Sequence, residues 1–332
     1  MISSIQSLVR MTDCLIARAY LSLFRERNAL ISFLFHSLFR DEREIAQNLV
    51  DPLQRTTVAQ FRRFVEYFLE HDYQFIGPNE VLAGLDPQKR YALITFDDGY
   101  FNNTLALDVL EEYKVPALFF VSTEHVRQNK CFWWDVLYRE RIAQGAPARK
   151  VYGEGIALKS KTSEQIESEL SARFGPEAFV PRGSIDRPFT PDELRDFASR
   201  PYVHLGNHTA NHAILTNYSP DQVRSQIAGA QNSLKEMTGD SPNSIAYPNG
   251  AHSQGIMETC GEFGLKIGFT VKPKKNLFPL DVHSIDALRL GRFAPHGDST
   301  IETQCRTYRS DLLLYGALRA GYLKFHRGVT GT

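Results

Sequence analysis

The sequence predicts an α/β fold in which parallel strands close into a barrel and crossover helices pack outside it. Short apolar runs alternate with helical patterns along most of the chain. These runs are almost continuously apolar, which is typical of strands covered on both faces and favours a barrel over an exposed sheet. The chain has 332 residues with 42% hydrophobic content, enough for one large core in a single domain.

The predicted strands are rich in β-branched and aromatic residues. They are ISFLFH from Ile31, ALITF from Ala92, ALFFVS from Ala117, YVHLG from Tyr202, SIAYP from Ser244, IGFTV from Ile267 and LRLGRF from Leu288. Helical periodicity predicts helices that begin near Thr57, Asn103, Ser219 and Ser253. Each helix follows a strand, which predicts parallel pairs with crossover connections.

Both ends of the chain are predicted to be helical. In residues 1–30, apolar side chains recur at helical spacing with arginines between them, and the charges interrupt any signal peptide or membrane span. Such a helix docks on its own domain or lies on a membrane surface. We expect docking and a cytoplasmic protein, with peripheral contact at the inner membrane face as the alternative. A terminal helix is expected from Ser310, which divides the chain into an extension (1–30), a barrel (31–300) and a C-terminal helix (301–332).

Residues from about 127 to 190 interrupt the strand and helix pattern. This stretch is polar, charged and rich in glycine and proline, so we interpret it as an insertion in the barrel. It carries both tryptophans, Trp133 and Trp134. Their rings could stack on a sugar or anchor the insertion.

The overall charge excludes one class of partner. The 38 Lys and Arg residues balance the 38 Asp and Glu residues, so the chain lacks the basic field of a nucleic-acid-binding protein. The four cysteines include no CxxC pair. Neither a zinc knuckle nor a disulfide framework is indicated.

Two carboxylates end the strand in LITFDDGY, residues 93–100. Successive side chains of a strand point to opposite faces, so Asp97 and Asp98 can share one pocket only if the chain turns there. Gly99 permits that turn. Adjacent acids repel each other unless a positive charge lies between them or one carries a proton. Alternatively, Asp98 caps the next helix.

His208 and His212 follow a second strand, in the sequence NHTANH. Their spacing of four residues brings both imidazoles to one point on a helical turn or in a tight loop. Two imidazoles and one carboxylate form a metal site that leaves a position open for water. Asp98 or Asp97 would be the third ligand, because barrel strands converge at their carboxyl ends.

A third strand ends in the turn of SIAYPNG, residues 244–250. This turn could expose the Tyr247 N–H as an oxyanion donor. Together, TFDDGY, HTANH and AYPNG resemble the three motifs of the polysaccharide deacetylase family, also called carbohydrate esterase family 4, in its "AYP" branch. FLFH and PALFFVST are also similar to family sequences, and the resemblance spans roughly residues 30–295.

The resemblance implies a distorted (β/α) barrel of about seven strands and removal of an N-acyl group, usually acetyl, from an amino sugar. It implies Asp97 as the catalytic base and Asp98, His208 and His212 as ligands of one divalent metal ion. Zinc is expected, with cobalt, nickel or manganese as alternatives. The Tyr247 N–H and the metal would hold the tetrahedral intermediate.

The sequence departs from the family pattern at two points. Where many members have an arginine that orients the base, this chain has Ala246, and Arg292 or Arg289 could supply the guanidinium instead. The late Leu-x-His motif that provides the general acid is missing. We assign this role to His296, with His36, His252 and His283 as alternatives. Substrate binding is assigned to Tyr247, Pro248, Asn249, Arg292 and Trp134.

The leading hypothesis is therefore a metal-dependent N-deacetylase in cell-surface or exopolysaccharide metabolism. Its substrate would be an N-acylated amino sugar in an oligosaccharide, a nucleotide-linked sugar or a lipid-linked sugar. A deformylase or other amide hydrolase on a related sugar is the closest alternative. A silent sugar-binding barrel and a scaffold protein that uses the insertion as a contact surface are the others.

Overall fold

The computed structural model describes residues 2–52, 54–297 and 299–312. Its α-helices are α1 (Ile2–Leu23), α2 (Glu42–Ile45), α3 (Val58–Leu69), α4 (Pro78–Ala83), α5 (Leu107–Tyr113), α6 (Thr123–Gln128), α7 (Trp133–Ala143), α8 (Ala148–Leu158), α9 (Ser163–Phe174), α10 (Pro191–Ala198), α11 (Pro220–Thr238), α12 (Gln254–Glu262) and α13 (Ile301–Arg309). Short 3₁₀ turns include Phe101–Ala106, Leu215–Asn217, Pro248–Gly250 and Ile285–Arg289.

The strands form one curved sheet. They are β1 (Ala29–Phe35), β2 (Gln74–Phe75), β3 (Tyr91–Phe96), β4 (Ala117–Val121), β5 (Val203–Asn207), β6 (Ser244–Ala246), β7 (Ile267–Phe269), β8 (Asn276–Leu277) and β9 (Arg292–Phe293). The order is β7-β6-β5-β4-β3-β1-β8, with β2 on β3 and β9 on β1. All pairs are parallel except β1 with β8.

The sheet nearly closes on itself through the segment that ends in β9. Leu290 forms a parallel bridge with Phe269 of β7, and two residues later Arg292 pairs with Ser32 of β1. Seven parallel strands, with helices outside them, therefore form a distorted (β/α)₇ barrel, as predicted. This closure brings Arg292 next to the end of β3.

Alternation along the strands separates an inner face from an outer face. In β1, Ile31, Phe33 and Phe35 belong to the large core between barrel and helices, which includes aromatic residues of α3. In β3, Leu93 belongs to a second core with residues of β1, β4, β6 and β7. Thr95 and Asp97 lie two and four residues after Leu93, so their side chains point to the same face of the strand. Alternation therefore directs Asp97 to the inner face.

Most predicted elements are present. The helix predicted near Asn103 begins as a 3₁₀ turn and becomes α5, and LRLGRF contains a 3₁₀ turn before the two residues of β9. The strands β2 and β8 were not predicted, because two residues provide no alternation pattern. The terminal helix predicted from Ser310 lies, from residue 313 onward, outside the described residues.

The stretch from 127 to 190 contains α7, α8 and α9 between β4 and β5. These helices have a core of their own, in which Trp133 is buried with Leu137, Ile166 and Leu170. Arg139 and Asp186 form a buried ion pair there, 2.5 Å between Nη1 and Oδ2. The predicted insertion is therefore a small helical layer with an apolar core.

The first helix docks on the barrel, as expected. The Tyr20 hydroxyl donates to Asp311 just beyond α13, and Thr307 of α13 contacts the Cys14 sulfur at 3.5 Å. Met11, Leu15 and Leu23 are exposed on the outer side of α1. Peripheral membrane contact stays a prediction. Within the described residues, every helix is too short or too polar to cross a bilayer.

Candidate metal centre and active site

The turn after β3 brings both carboxylates to the carboxyl end of the barrel. Asp98 has a φ of 80° and Gly99 a φ of 88°, so the chain passes through the left-handed region directly after Asp97. A Cβ on Gly99 would lie 3.0 Å from Val121 of β4. The strained turn breaks the alternation and directs both acids inward. The Asp98 side chain caps no helix.

His208 and His212 lie in a tight loop after β5. Two residues of this loop have positive φ, Thr209 at 63° and His212 at 49°. The loop is fixed by Asn207, whose Oδ1 accepts from the Thr209 N–H at 2.8 Å, and by Gln226 of α11, which accepts from the N–H groups of Ala210 and Asn211. The tight-loop interpretation of the HxxxH spacing is therefore confirmed.

Asp98, His208 and His212 converge on one point. Oδ1 of Asp98 lies 3.3 Å from Nε2 of His208 and 3.4 Å from Nε2 of His212. All three groups are buried, and one ligand atom from each lies within 4.8 Å of the others. Two imidazoles and a carboxylate at such spacing can hold a divalent cation.

The charges of the carboxylates favour a positive charge at the centre of this set. Nδ1 of His208 donates to the Ala246 carbonyl at 2.8 Å, which leaves the Nε2 lone pair directed at the cluster. Burial alone would lower the pKa of His208, but the charges of Asp97 and Asp98 raise it above its ordinary value. Burial, with the charge of His208, lowers the pKa of His212 well below its ordinary value, which keeps this imidazole neutral. The buried Asp98 Oδ1 has no hydrogen-bond donor within the described residues.

Arg292 holds Asp97 in a bidentate ion pair. Its Nη1 lies 2.6 Å from Oδ1 and its Nη2 lies 2.8 Å from Oδ2. The guanidinium also donates to Thr95 Oγ1 and to the Thr270 carbonyl. Burial alone would raise the pKa of Asp97, but the charge of Arg292 outweighs burial and the pKa lies below its ordinary value.

The guanidinium of Arg292 is fully buried, so it contacts Asp97 and not the open side of the site. Its assignment to direct substrate binding is wrong, because four of its N–H groups already donate within the protein. The alternative candidate, Arg289, is half-exposed and pairs with Asp286. Arg292 thus occupies the role left open by Ala246.

His36 lies next to Asp97. Phe35 and Phe96 are paired in register, and the Asp97 N–H donates to the Phe35 carbonyl at 2.9 Å, so His36 and Asp97 follow on neighbouring strands. The charge of His36 lowers the pKa of Asp97 and that of His212. Its buried Nδ1 has no hydrogen-bond partner within the described residues.

His296, the predicted general acid, lies beyond β9. Its backbone N–H donates to Gln304 Oε1 at 2.8 Å, and its carbonyl accepts from Gln304 Nε2 at 2.7 Å. These contacts connect this segment to α13. The role of His296 as the acid stays a prediction.

The third motif differs from expectation in its donor. The Tyr247 N–H donates to the Phe269 carbonyl at 3.1 Å and extends the β6–β7 ladder, so the prediction that it binds an oxyanion is wrong. The Tyr247 side chain is also fully buried, which removes it from direct substrate contact. Pro248 has no N–H, and Gly250 donates to the Tyr247 carbonyl. The structure records no acceptor for the N–H of exposed Asn249 within the described residues.

Trp134 forms one wall of the site. Its ring centroid lies 4.4 Å from that of His212, and its Nε1 donates to the Tyr100 hydroxyl at 2.9 Å. Tyr100 in turn donates to Asp135 at 2.6 Å. Burial raises the pKa of Asp135 well above its ordinary value. Trp134 therefore anchors the insertion to the site and remains partly exposed.

The geometry agrees with the comparison with known proteins. The sequence profile of the polysaccharide deacetylase family matches residues 84–268, more than half of the chain. The chain belongs to this family. It is 21% identical over 224 residues to YxkH of Bacillus subtilis (strain 168), which is named a polysaccharide deacetylase. That match covers 66% of this chain and 60% of YxkH.

Solved structures of deacetylases share the fold. The chain is similar to Streptococcus pyogenes deacetylase PplD, solved in complex with acetate, with a TM-score of 0.57, 16% identity and coverage of 85% of this chain and 99% of that one. For IcaB from Ammonifex degensii the TM-score is 0.55, the identity 16% and the coverage 86% and 99%. Similarity at such identities concerns the fold alone.

Two features of this family member were underrated or missed in the sequence. Leu34-Phe35-His36 is a Leu-x-His triplet, but it lies in the first strand rather than late in the chain. Lys159, at the end of α8, contacts Asn249, and no sequence pattern marks it. The first could have been found by searching the whole chain for the triplet. The second depends on how the insertion folds back.

Proposed function

We propose that this protein is a metal-dependent carbohydrate N-deacetylase, with the metal held by Asp98, His208 and His212. The observation that carries the proposal is the convergence of these ligand atoms beside Asp97, in a polysaccharide deacetylase fold. A divalent cation, zinc or alternatively cobalt, nickel or manganese, would lower the pKa of a bound water and polarise the carbonyl under attack.

Asp97 is the proposed general base. Its pKa lies below its ordinary value, so the carboxylate is ionised near neutral pH and can accept a proton from the attacking water. Its Oδ2 lies 3.9 Å from Nε2 of His208, on the side of the metal ligands. Arg292 orients the carboxylate and does not contact the substrate.

Arg292 also weakens the case for a silent sugar-binding barrel. That alternative was based on Ala246, where many family members have an arginine. The bidentate pair with Asp97 provides the same guanidinium from another strand. A base that is held in this way serves turnover, and sugar binding alone would not require it.

We assign the proton donor for the leaving amine to His36 in preference to His296. His36 follows β1 beside Asp97, and its charge acts on both Asp97 and His212. Its Nδ1 is free of internal hydrogen bonds within the described residues. An imidazole in this place can give a proton to the nitrogen as the C–N bond breaks.

The N–H of Asn249 replaces that of Tyr247 as the proposed backbone donor to the oxyanion. Asn249 has a φ of 58°, in the left-handed region, within the turn that follows β6. The Ala246 carbonyl, three residues earlier, accepts from His208. The turn is therefore attached to the ligand set, and the Asn249 N–H, for which the described residues provide no acceptor, is available to a ligand.

The proposed substrate is an N-acetylated amino sugar in a polysaccharide or its precursor. The partly exposed ring of Trp134 next to His212 offers an apolar face for a sugar ring. Deformylation of a related sugar is the alternative. A release assay that measures acetate and formate separately distinguishes the two.

The first experiment measures bound metal and acetate release together. We expect wild-type protein to carry one divalent ion per chain and to release acetate from at least one N-acetylated oligosaccharide or sugar nucleotide. His208→Gln should lose both properties. His204→Gln, in β5 four residues before His208 and outside the ligand set, is the matched control and should keep both. Metal retained in the His208 variant would contradict the proposed ligand set.

The second experiment compares His36→Gln with His296→Gln. We expect kcat to fall by about 10²- to 10⁴-fold in the His36 variant, with bound metal unchanged, because general acid catalysis contributes about that much. The His296 variant should stay near wild type. The reverse pattern would return the role to His296.

A further inference from the structure

The inserted helical layer reaches the active site at the end of α8. Its last turn is attached to the loop after the second motif, because Asn217 Nδ2 donates to the carbonyls of Lys159 and Lys161 at 2.9 and 2.8 Å. Asn217 lies five residues after His212. The backbone of Lys159 is thus fixed relative to the metal ligands.

The Lys159 side chain extends from there to the third motif. Its Nζ donates to Asn249 Oδ1 at 2.8 Å. The charges of Asp51 and Asp98 raise the pKa of this ammonium, and its own charge lowers the pKa of His212. Burial lowers the pKa of Lys159, and the two carboxylates oppose that effect. A cation contributed by the insertion therefore lies on the turn of the third motif, and its charge reaches the proposed metal ligands.

This environment differs from that of neighbouring lysines. Lys161, two residues further, pairs with Glu169, and Lys130 pairs with Glu167 at 2.9 Å. Within the described residues, Lys159 has no carboxylate within ion-pair distance and donates to a neutral amide. An ammonium has three donors, so two remain available to a ligand.

We propose that Lys159 and the Asn249 N–H together form an oxyanion-binding site for the acyl group. The ligand class is a carboxylate or the negatively charged oxygen of a tetrahedral intermediate. This inference rests on the proposed deacetylase function and adds a residue from the insertion to it. The hydrogen bond from Lys159 to the Asn249 side chain also holds the left-handed turn that carries the N–H.

The chemical step balances without further reagents. As the water oxygen bonds to the acyl carbon, Asp97 takes its proton and the C=O π pair moves to the carbonyl oxygen. Lys159 donates a hydrogen bond to that oxygen and keeps its proton. The C=O bond then re-forms, the C–N bond breaks and the nitrogen takes a proton from His36, which leaves an amine and acetic acid. The acid loses its proton to water as acetate, and the proton on Asp97 returns to His36.

The test measures the affinity for acetate by isothermal titration calorimetry with sodium acetate. Wild type is compared with Lys159→Met, Lys159→Arg and Lys161→Met. Hydrogen bonds to charged groups predict that Lys159→Met binds acetate about tenfold more weakly or worse. Lys159→Arg should recover part of the affinity, and Lys161→Met should match wild type. Thermal unfolding and bound metal are measured for every variant to show that fold and ligand set are intact.

Acetate affinity in Lys159→Met equal to wild type, or no acetate binding by wild type, would overturn the inference. Turnover gives a second readout: kcat should fall at least about tenfold with KM within about twofold, since the interaction strengthens in the transition state. A rise in KM alone would overturn it as well. If wild type binds acetate through Lys159 but hydrolyses no N-acetyl sugar, the proposed function fails and the oxyanion site stands.

Discussion

Two buried arginine–aspartate pairs lie in different layers of the molecule. Asp97 and Arg292 close the barrel beside the metal ligands, and Asp186 and Arg139 hold the inserted helical layer together. In both pairs each side chain is almost completely buried. By burial alone they are equivalent.

Their remaining contacts differ. Both oxygens of Asp186 accept from backbone, with the Gly183 N–H at 2.8 Å and the Arg182 N–H at 2.9 Å. Asp97 receives Arg292 on one side and has His208 at 3.9 Å on the other. A buried carboxylate enclosed by donors stabilises the fold, whereas one that also faces metal-ligating groups can accept a proton from a reactant.

The largest expected effect comes from removing the charge of each acid. Asp97→Asn should lower kcat by about 10²- to 10⁴-fold because the general base is lost. Asp186→Asn should instead lower the free energy of unfolding, with breaking of a buried pair costing about 3–5 kcal/mol. Its activity per folded molecule should stay at the wild-type level. Equal losses of kcat in both variants would contradict the assignment of roles.

Removing the guanidinium of Arg292 should change the pH dependence of the reaction. In Arg292→Met the largest charge that opposes burial is removed and only those of His208 and His36 remain, so the pKa of Asp97 should rise above its wild-type value. The acid limb of kcat/KM against pH should move to higher pH. Arg139→Met is the matched control and should leave the limb in place. An unshifted limb in Arg292→Met would show that Arg292 does not set the pKa of the base.

A smaller effect is expected on stability against pH. The pKa of Asp97 is depressed in the folded protein, so its stabilising contribution is present above the unfolded value of about 3.9 and is lost as pH falls through the folded value. The difference in free energy of unfolding between wild type and Arg292→Met should therefore narrow as pH falls from 7 towards 3. Urea unfolding with a chelator in both samples measures it without linkage to metal.

The smallest effect is expected at Arg289, which the sequence offered beside Arg292. Its partner is the exposed Asp286, and solvent screens such a pair. Arg289→Met should change the free energy of unfolding by less than about 1 kcal/mol and leave kcat unchanged. Loss of activity in this variant would mean that Arg289 contacts the site in solution.

The parts of the fold that the sequence predicted well have strong local patterns. Apolar runs such as ALITF and ALFFVS are long enough to show their strand character, and α11 begins at Ser219 with a capping box that the sequence displays. The two-residue strands β2 and β8 escape such analysis, because their pairing depends on neighbours far along the chain.

The same division holds within the site. Asp97, Asp98, His208 and His212 could be named from sequence, because the acids end one predicted strand, the HxxxH pair follows another, and both stretches resemble motifs of the family. Tyr247 could not be judged, because whether its N–H is free depends on the β6–β7 ladder. His36 was undervalued because its neighbour Asp97 is distant in sequence and close only through strand pairing.

By itself, then, the sequence determined the chemistry available to this protein: two acids, two imidazoles and the strand ends that carry them. Only the tertiary structure decided which arginine holds the base, which backbone N–H remains free and that Lys159 of the insertion reaches the third motif. The physical reason is the separation along the chain between the groups that interact. Strand alternation, capping and ligand type are set by nearby residues, whereas ion pairing, burial and hydrogen-bond satisfaction depend on groups that meet only when the barrel closes.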